Sequence, residues 1–497
     1  MIGDERQSDD PSPGIVFPKA GMEPESVLEQ MAGWGAEDAD YREARTFSLV
    51  YYLGEEHTEF LKRAYAQYFS ENALNPMAFK SLKRLESEVV AMTASLLHGD
   101  GQTGGTMTSG GTESCMLAVK TCRDFARAKR PWVRRPELLM PDSAHVAFEK
   151  AAHYFGVKAV RVPVGSDLRA NVRLMKKRMS RNTILMVASA PSYPHGVVDP
   201  VEELGQLAKR RGVPLHVDAC LGGFLLPFVE RLGHSVPAFD FRCPGVTSMS
   251  ADVHKYGWAA KGASVVLYAQ PEMLKHQFFV YENWPGGLFA SPAMLGTRPG
   301  GAIAAAWAAI RLLGEEGYLE HARTIMETAQ RFRDGISNIP SLQVMGKPHM
   351  GVFAYRSTDP ELSIYAVADG LEARGWHVDR QHRPECIHLM ITPWHKEVVD
   401  SYVADLRHSV DAARRDELLG LQGTAAMYGM ISRIPLRRLV KKQVLEMMLE
   451  LYGPGGKQPD LAAAAQGEDL LSRAGLAFLR LSARLRSALG RRNGESG

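Results

Sequence analysis

Residues 248–268 read SMSADVHKYGWAAKGASVVLY. One lysine, Lys255, stands between His254 and Tyr256, just ahead of Gly257, and the stretch closes on the strand-forming run SVVLY. A single lysine is ordinarily a solvated surface charge. Its meaning here depends on what the surrounding chain builds.

Outward from that stretch, short apolar runs alternate with helical segments between about residue 99 and residue 310: ELLMPD, AVRVPV, TILMVASAP, PLHVDA and SVVLYA. Near-continuous apolar runs bounded by turn residues predict a buried, mostly parallel sheet, an α/β fold. In such sheets ligands sit beyond the carboxyl ends of the strands. Before this region, residues 56–72 and 79–98 carry apolar residues at helical spacing. After it, AIAAAWAAIRLL at 302–313 opens a long Ala-rich helix leading out of the sheet domain. The runs LQVMG, MGVFAYRS, HVDRQ and CIHLMIT then predict a smaller α+β domain with a helix at about 396–414. The predicted organisation is an arm with helices at 1–75, a large domain at 76–313, a small domain at 314–430 and a basic amphipathic helical tail at 431–497.

At 497 residues the chain is too long for one small core. Its 59 basic and 56 acidic residues leave a net charge of +3, which argues against a general nucleic-acid binder. The five cysteines are scattered with no CxxC pair, so neither a structural metal nor a disulfide framework is expected, and a reducing compartment fits. The N-terminus MIGDERQSDDPSPG lacks the basic and apolar regions of a signal peptide. No segment reaches 18 uncharged apolar residues. The expected location is the cytoplasm, with at most peripheral membrane contact.

Several chemistry-bearing residues fall at strand ends. In PLHVDACLGGF, Asp218 ends a strand and reads either as a cap for the next turn or as a ligand-facing carboxylate. In TSGGTESCMLAVKTCRDFA, Gly110 and Gly111 feed a helix whose free N–H groups, with the Thr112 hydroxyl, suit an anion. His145 follows another strand end in PDSAHVAFEKAAHYFG. A phosphate cradle, an aromatic plate, a carboxylate and a lysine in one sheet domain are what pyridoxal 5'-phosphate requires. In that reading Lys255 is the amine that bonds to the cofactor aldehyde and carries protons. Asp218 keeps the ring nitrogen protonated, His145 stacks on the ring, and Thr112 and His254 bind the phosphate. The lysine must lose its proton to react, which burial beside cationic or apolar neighbours promotes.

The order TSGGTES, HVAFEKAA, SAPSYPHGVVDP, HVDACLGGF, SADVHKYGWAAKG, ASPAMLGTRPGG, MYGM resembles the pyridoxal-phosphate-dependent decarboxylase superfamily, and within it the sphingosine-1-phosphate lyase family. The resemblance spans roughly residues 45–430. It implies the fold of aspartate-aminotransferase type (fold type I) and a homodimer with shared active sites. It also implies that Gly296 and Thr297 reach the cofactor phosphate of the other subunit. Cys220 is then expected on the ring face opposite His145, with a plain core cysteine as the other reading. Tyr51 in FSLVYYLG matches a tyrosine that binds substrate phosphate from the partner subunit; Tyr193 in PSYPHG and Lys261 in WAAKG match residues near the reacting centre. Two positions depart from the family pattern. Phe47, Ser48 and Leu49 stand where it reads Ser-Gly-Ala, and Asn75 in NALNP replaces a histidine. Asn75 can donate a hydrogen bond to a phosphate but supplies no charge.

The implied activity is an aldehyde-lyase that splits the C2–C3 bond of a phosphorylated long-chain amino alcohol into phosphoethanolamine and a fatty aldehyde. Tyr193, Lys261 and the freed Lys255 are the candidates for proton transfer. The competing enzyme reading is an amino-acid decarboxylase, for which Arg298 is the nearest cation to hold a substrate carboxylate, a structural interface residue being its other reading. A catalytically silent binding protein of the same fold is a third reading. The tail segments around 437–442 and 480–492 set Leu and Phe opposite Arg and Lys, and either pack on the dimer or lie on an anionic membrane.

Overall fold

Seven strands form the central sheet: β1 (Gly104–Thr108), β2 (Glu137–Pro141), β3 (Lys158–Val162), β4 (Thr183–Ser189), β5 (Leu215–Asp218), β6 (Val246–Ala251) and β7 (Ser264–Tyr268). The structure is a computed structural model and describes residues 17–36, 38–416 and 437–453. The strand order is β1-β7-β6-β5-β4-β2-β3. β7 runs antiparallel to both its neighbours, and the pairs among β2 to β6 are parallel. Every residue of β4, β5 and β7 is buried. That explains why these strands read as unbroken apolar runs rather than as an alternation. β1 and β7 approach so closely that a Cβ on Gly105 would lie 2.0 Å from the Val266 carbonyl oxygen.

On the N-terminal side lie α1 (Pro24–Gly35), α2 (Glu55–Ala66) and α3 (Lys80–Leu96). The first of these buries none of its residues, and the third buries Leu82, Val89 and Val90. The sheet is flanked by α4 (Gly111–Lys129), α5 (Ala147–Phe155), α6 (Val172–Arg178) and α7 (Val201–Arg211), followed by α8 (Leu226–Arg231) and α9 (Pro271–Leu274). The hairpin β8 (Phe279–Tyr281) and β9 (Phe289–Ser291) follows. The Ala-rich segment extends into α10 (Gly300–Ser337), broken at Gly314, whose φ of 55° leaves the helical region. Its first half packs against α2 and α3, where bulky side chains would hold the helices apart.

The smaller sheet is antiparallel throughout, in the order β10 (Leu342–Val344), β11 (Val352–Ser357), β13 (Cys386–Met390), β12 (Asp379–Gln381). The helices α11 (Ile364–Glu372) and α12 (Val399–Arg415) pack on each other, and α11 covers β13. α11 starts where Ser363 accepts a hydrogen bond from the Ala366 N–H, an N-cap that satisfies one orphan donor. A last helix, α13 (Arg437–Tyr452), belongs to the tail.

The segment at 45–51 follows this smaller sheet. The Phe47 N–H donates to the His377 carbonyl, and the Met390 N–H donates to the Phe47 carbonyl. The Phe47 side chain is fully buried, stacked on His395 and packed against Trp376 and Tyr402. Phe47 is thus a core residue, and anchoring it there delivers Ser48 and Tyr51 to the junction of the two sheets.

Candidate active site

A cavity of about 370 Å³ opens at the carboxyl ends of the parallel strands. Gly110, Gly111, Thr112, His145, Tyr193, Asp218, Cys220, Asp252, His254 and Lys255 line it. The structure therefore brings together eight of the sequence-derived residues that the cofactor reading named or implied, and adds Asp252.

The floor is built by strand ends. Asp218 closes β5, and its Oδ1 accepts from the Cys220 N–H at 3.1 Å and from the Ser250 hydroxyl at 3.4 Å. Beneath it His216 is fully buried between the hydroxyls of Ser248 (2.9 Å) and Ser250 (3.2 Å), and burial pushes its pKa down to about 4. The donor atoms of Cys115, Asp218 and Cys220 all lie within 4.8 Å of one another. The Cys220 thiol is held neutral, its pKa raised by the neighbouring Cys115 thiol and by burial. Its Sγ points at Ser250 and at the α4 N-terminus, where a Cβ on Gly111 would come within 2.8 Å of it.

One wall is the start of α4. The first intrahelical bond there runs from the Ser114 N–H to the Gly110 carbonyl, so the N–H groups of Gly111, Thr112 and Glu113 have no helical acceptor. Glu113 turns away and binds Ser109 through both its N–H and its hydroxyl, each at 2.7 Å. A Cβ on Gly110 would sit 3.4 Å from His254, and one on Gly111 2.7 Å from Asp252. The bare glycine backbone is therefore a space requirement of the site. It leaves an anion-sized cradle beside the helix N-terminus. His254 accepts the Ala263 N–H at its Nδ1 (3.1 Å), and its pKa is lowered by burial, so the ring presents a neutral Nε2–H to that cradle.

Lys255 follows β6. Its amine lies 2.9 Å from the Asp252 carboxylate, which is itself 2 % exposed. Burial alone would discharge the amine, but the Asp252 carboxylate outweighs it and holds Lys255 well above the usual lysine range. This corrects the expectation that the surroundings favour a neutral amine. Sequence reasoning passed over Asp252, although it stands three residues before Lys255.

At the upper wall, the Tyr193 hydroxyl donates to Asp379 Oδ2 at 3.0 Å, and its ring lies 6.4 Å edge-on from the His145 ring. Tyr51 lies outside the lining of this cavity, in an adjoining one of about 360 Å³ that Lys261 and His254 also line. It packs edge-on against Tyr256 at 5.0 Å and its hydroxyl meets the Met390 sulfur at 3.3 Å. Lys261 stands over the Tyr51 ring at 5.2 Å and donates to the Leu49 carbonyl at 2.7 Å. Desolvation and then the Lys255 charge lower the Lys261 pKa.

Four further residues named from the sequence lie elsewhere. Gly296 and Thr297 are exposed on the segment between β9 and α10, outside this cavity. Asn75 is exposed too, its side chain accepting the Met77 N–H at 2.9 Å in a local turn. Arg298, the cation of the decarboxylase reading, is 6 % exposed and committed to Glu86, with further contacts to the carbonyls of Met107 and Ala73.

Pyridoxal phosphate fits these residues: an anion cradle that any Cβ would fill, a carboxylate across the floor, and a lysine between them. Residues 58–358 match the family model of the pyridoxal-dependent decarboxylase conserved domain, and the chain belongs to that family of pyridoxal-phosphate enzymes. It is 44 % identical over 445 residues to sphingosine-1-phosphate lyase of Arabidopsis thaliana, covering 88 % of this chain and 81 % of the relative. The solved sphingosine-1-phosphate lyase of Burkholderia pseudomallei superposes with a TM-score of 0.79 at 37 % identity, covering 87 % of this chain and 97 % of the other. Glutamate decarboxylase of Lactobacillus brevis shares the fold, with a TM-score of 0.71 at 21 % identity over 82 % of this chain and 96 % of that one. Within the wider family the chain belongs to the sphingosine-1-phosphate lyases.

Proposed function

We propose that this chain is a pyridoxal-phosphate-dependent lyase that cleaves the C2–C3 bond of sphingosine 1-phosphate or a related phosphorylated long-chain base, yielding phosphoethanolamine and a fatty aldehyde. The substrate class rests on the lyases to which the chain is similar. The choice between carbon–carbon cleavage and decarboxylation rests on one observation. Arg298, the cation a substrate carboxylate would need, is buried in a pair with Glu86.

The bound cofactor supplies the electron sink that accepts the pair released when C2–C3 breaks. Thr112, His254 and the free N–H groups of α4 would hold its phosphate, and Asp218 would hold the proton on its ring nitrogen. His145 and Cys220 would flank the ring. Lys255 would be the covalent tether. Lys261, whose charge the site disfavours, is the group suited to take the proton from the C3 hydroxyl. Asp252 keeps the released Lys255 an ammonium, ready to return a proton to C2. The proton taken from the hydroxyl is thereby balanced by the proton returned to carbon.

The same reading makes the enzyme a homodimer. α1 exposes Val27, Leu28, Met31 and Trp34, and the β8–β9 hairpin exposes Phe279, Val280, Tyr281, Trp284 and Leu288. Clusters of exposed large apolar side chains suit a contact surface. Gly296 and Thr297 adjoin the hairpin, which suits a role in the partner's site. No helix among the described residues is long and apolar enough to cross a membrane. All five cysteines are buried and unpaired, which supports a reducing, cytoplasmic setting. Peripheral membrane contact would fall to the tail, where α13 exposes Val444, Leu445, Met448 and Leu449; residues 480–492 lie outside the described residues. Deleting 431–497 should then abolish binding to anionic liposomes.

Product analysis of the purified enzyme with sphingosine 1-phosphate tests the reaction. Release of a long-chain aldehyde and phosphoethanolamine is expected. Carbon dioxide from an amino acid, with no aldehyde, would turn the assignment to the decarboxylase. Bound cofactor with no turnover of either substrate class would turn it to the silent binding protein.

A further inference from the structure

Three parts of the chain distant in sequence meet at one carboxylate. Asp379 opens β12 in the smaller sheet and reaches the cavity wall. Its Oδ2 accepts from the Tyr193 hydroxyl at 3.0 Å, and its Oδ1 accepts from the Ser48 hydroxyl at 3.1 Å. Ser48 is one of the positions at which this sequence departs from the family pattern. His388, paired with Asp379 across the β12–β13 register, is fully buried; its Nδ1 lies 3.8 Å from Asp379 Oδ2, beyond hydrogen-bond distance. The His388 ring lies 4.4 Å from the Tyr193 ring, tilted by 34°.

We propose that Asp379 is a positioning residue for the lyase reaction: bracketed by Ser48 and backed by His388, it fixes the Tyr193 hydroxyl at the wall of the cofactor cavity. The inference rests on the proposed function, in which Tyr193 borders the reacting atoms. A phenol ring pivots about two side-chain torsions. A charged acceptor at 3.0 Å aims its O–H in one direction, and charge-assisted bonds of this kind are the strong ones. Ser48 does the same for the carboxylate, so the tyrosine is aimed by a chain of two bonds that ends on the N-terminal segment. His388 packs against the ring and blocks its swing on that side.

The electrostatics agree with the geometry. Burial would raise the Asp379 pKa, but His388 and the hydroxyls of Tyr193 and Ser48 bring it below the usual carboxylate range, so it is an anion. Burial and then that anion raise the Tyr193 pKa, keeping the phenol protonated. With its one proton committed to Asp379, Tyr193 presents its oxygen to the cavity as an oriented acceptor, while Lys261 takes the proton. The charged or titratable groups that face Tyr193 are Asp379, Tyr51 and Lys255, with the His145 and His388 rings alongside. His195 lies near His388 and is neutral, its pKa lowered to about 4 by burial and then by His388.

The test is a double-mutant cycle on the full-length holoenzyme with sphingosine 1-phosphate, measuring aldehyde release, with cofactor absorbance reporting the intact site. Asp379→Ala is expected to lower kcat by about tenfold or more with little change in KM. Asp379→Asn, which keeps an acceptor for the phenol, should recover most of that loss. Asp379→Ala combined with Tyr193→Phe should be no slower than Tyr193→Phe alone, since both remove one interaction. Losses that multiply in the double variant, or an Asp379→Ala enzyme with wild-type kcat, would overturn the proposal. If Asp379→Ala does not take up cofactor, Asp379→Asn combined with Tyr193→Phe decides, and losses that multiply in that pair overturn the proposal. Wild-type turnover by Tyr193→Phe would instead refute the role given to Tyr193 in the proposed function.

Discussion

The Lys255 amine and the Asp252 carboxylate stand 2.9 Å apart at the wall of the cofactor cavity, and the carboxylate is almost entirely buried. The pair ties the reactive amine to the strand end that presents it, and it sets when that amine can react.

Because Asp252 raises the Lys255 pKa, the amine is charged at neutral pH in the apoenzyme. Only the uncharged amine attacks an aldehyde. Reloading of apoenzyme with pyridoxal phosphate should therefore accelerate as pH rises. In Asp252→Asn the acceleration should move to lower pH, since the raising charge is gone. Stopped-flow absorbance across a pH series measures both, and superimposable profiles would contradict the pairing. In Lys255→Ala, borohydride should fix no cofactor to the chain and aldehyde release should vanish.

Glu86 and Arg298 form a buried ion pair between α3 and the segment leading into α10. Breaking such a pair by removing one partner costs about 3–5 kcal/mol, because the other charge is left buried and alone. Glu86→Ala should therefore lower the unfolding midpoint strongly. Arg298→Lys should do the same to a lesser degree, because a lysine cannot reproduce the two-pronged contact. Denaturant titration reads both. If Arg298 instead bound a substrate carboxylate, its replacement would leave stability nearly unchanged and act on KM.

Thr297 offers a test of shared sites. If it serves the partner's cofactor, a mixture of Lys255→Ala and Thr297→Glu subunits contains heterodimers with one intact site. Activity should reappear when the two inactive proteins are denatured together and refolded. If Thr297 acted within its own chain, every site in the mixture would stay broken.

Much of the architecture was legible because burial on both faces leaves a compositional mark. ELLMP, TILMVAS, LHVD and SVVLY became β2, β4, β5 and β7, and the four runs assigned to the smaller sheet became its four strands. β1 (GGTMT) and β6 (VTSMSA) went unread. β1 is an edge strand and β6 an inner one; both are mostly buried, but they are rich in Gly, Ser and Thr, whose hydroxyls are satisfied inside the fold and leave no apolar run to notice. Thr112, His145, Asp218, His254 and Lys255 were legible because their chemistry is local to strand ends. Asp252 and Asp379 were not, since a carboxylate takes its meaning from its partner. Asp379 meets its partners Ser48 and Tyr193 only after the two sheets pack, 331 and 186 residues apart in sequence. Asn75 was named from the resemblance; its exposed side chain accepts the Met77 N–H in a local turn.

Stability in acid follows from buried imidazoles. His395 is 3 % exposed; its Nδ1 accepts the Thr392 N–H at 2.9 Å and its Nε2–H donates to the Thr46 carbonyl at 3.1 Å, so the neutral ring is fully used. Burial lowers its pKa to about 4, and the same holds for His195, His216 and His349. An unfolded histidine titrates near ~6.5. Between these values the unfolded chain binds protons that the folded chain refuses, so stability is full at neutral pH and falls as pH drops from about 6.5 towards 4. Each such group contributes on the order of a few kcal/mol across that window. The urea midpoint should therefore drop steeply between pH 7 and pH 5. In His395→Gln the protein should be weaker at pH 7, and its midpoint should fall less steeply with acid, by about one histidine's share. A slope identical to that of the parent would mean that the ring is protonated in the folded state, and that the Thr392 N–H donates to some other acceptor.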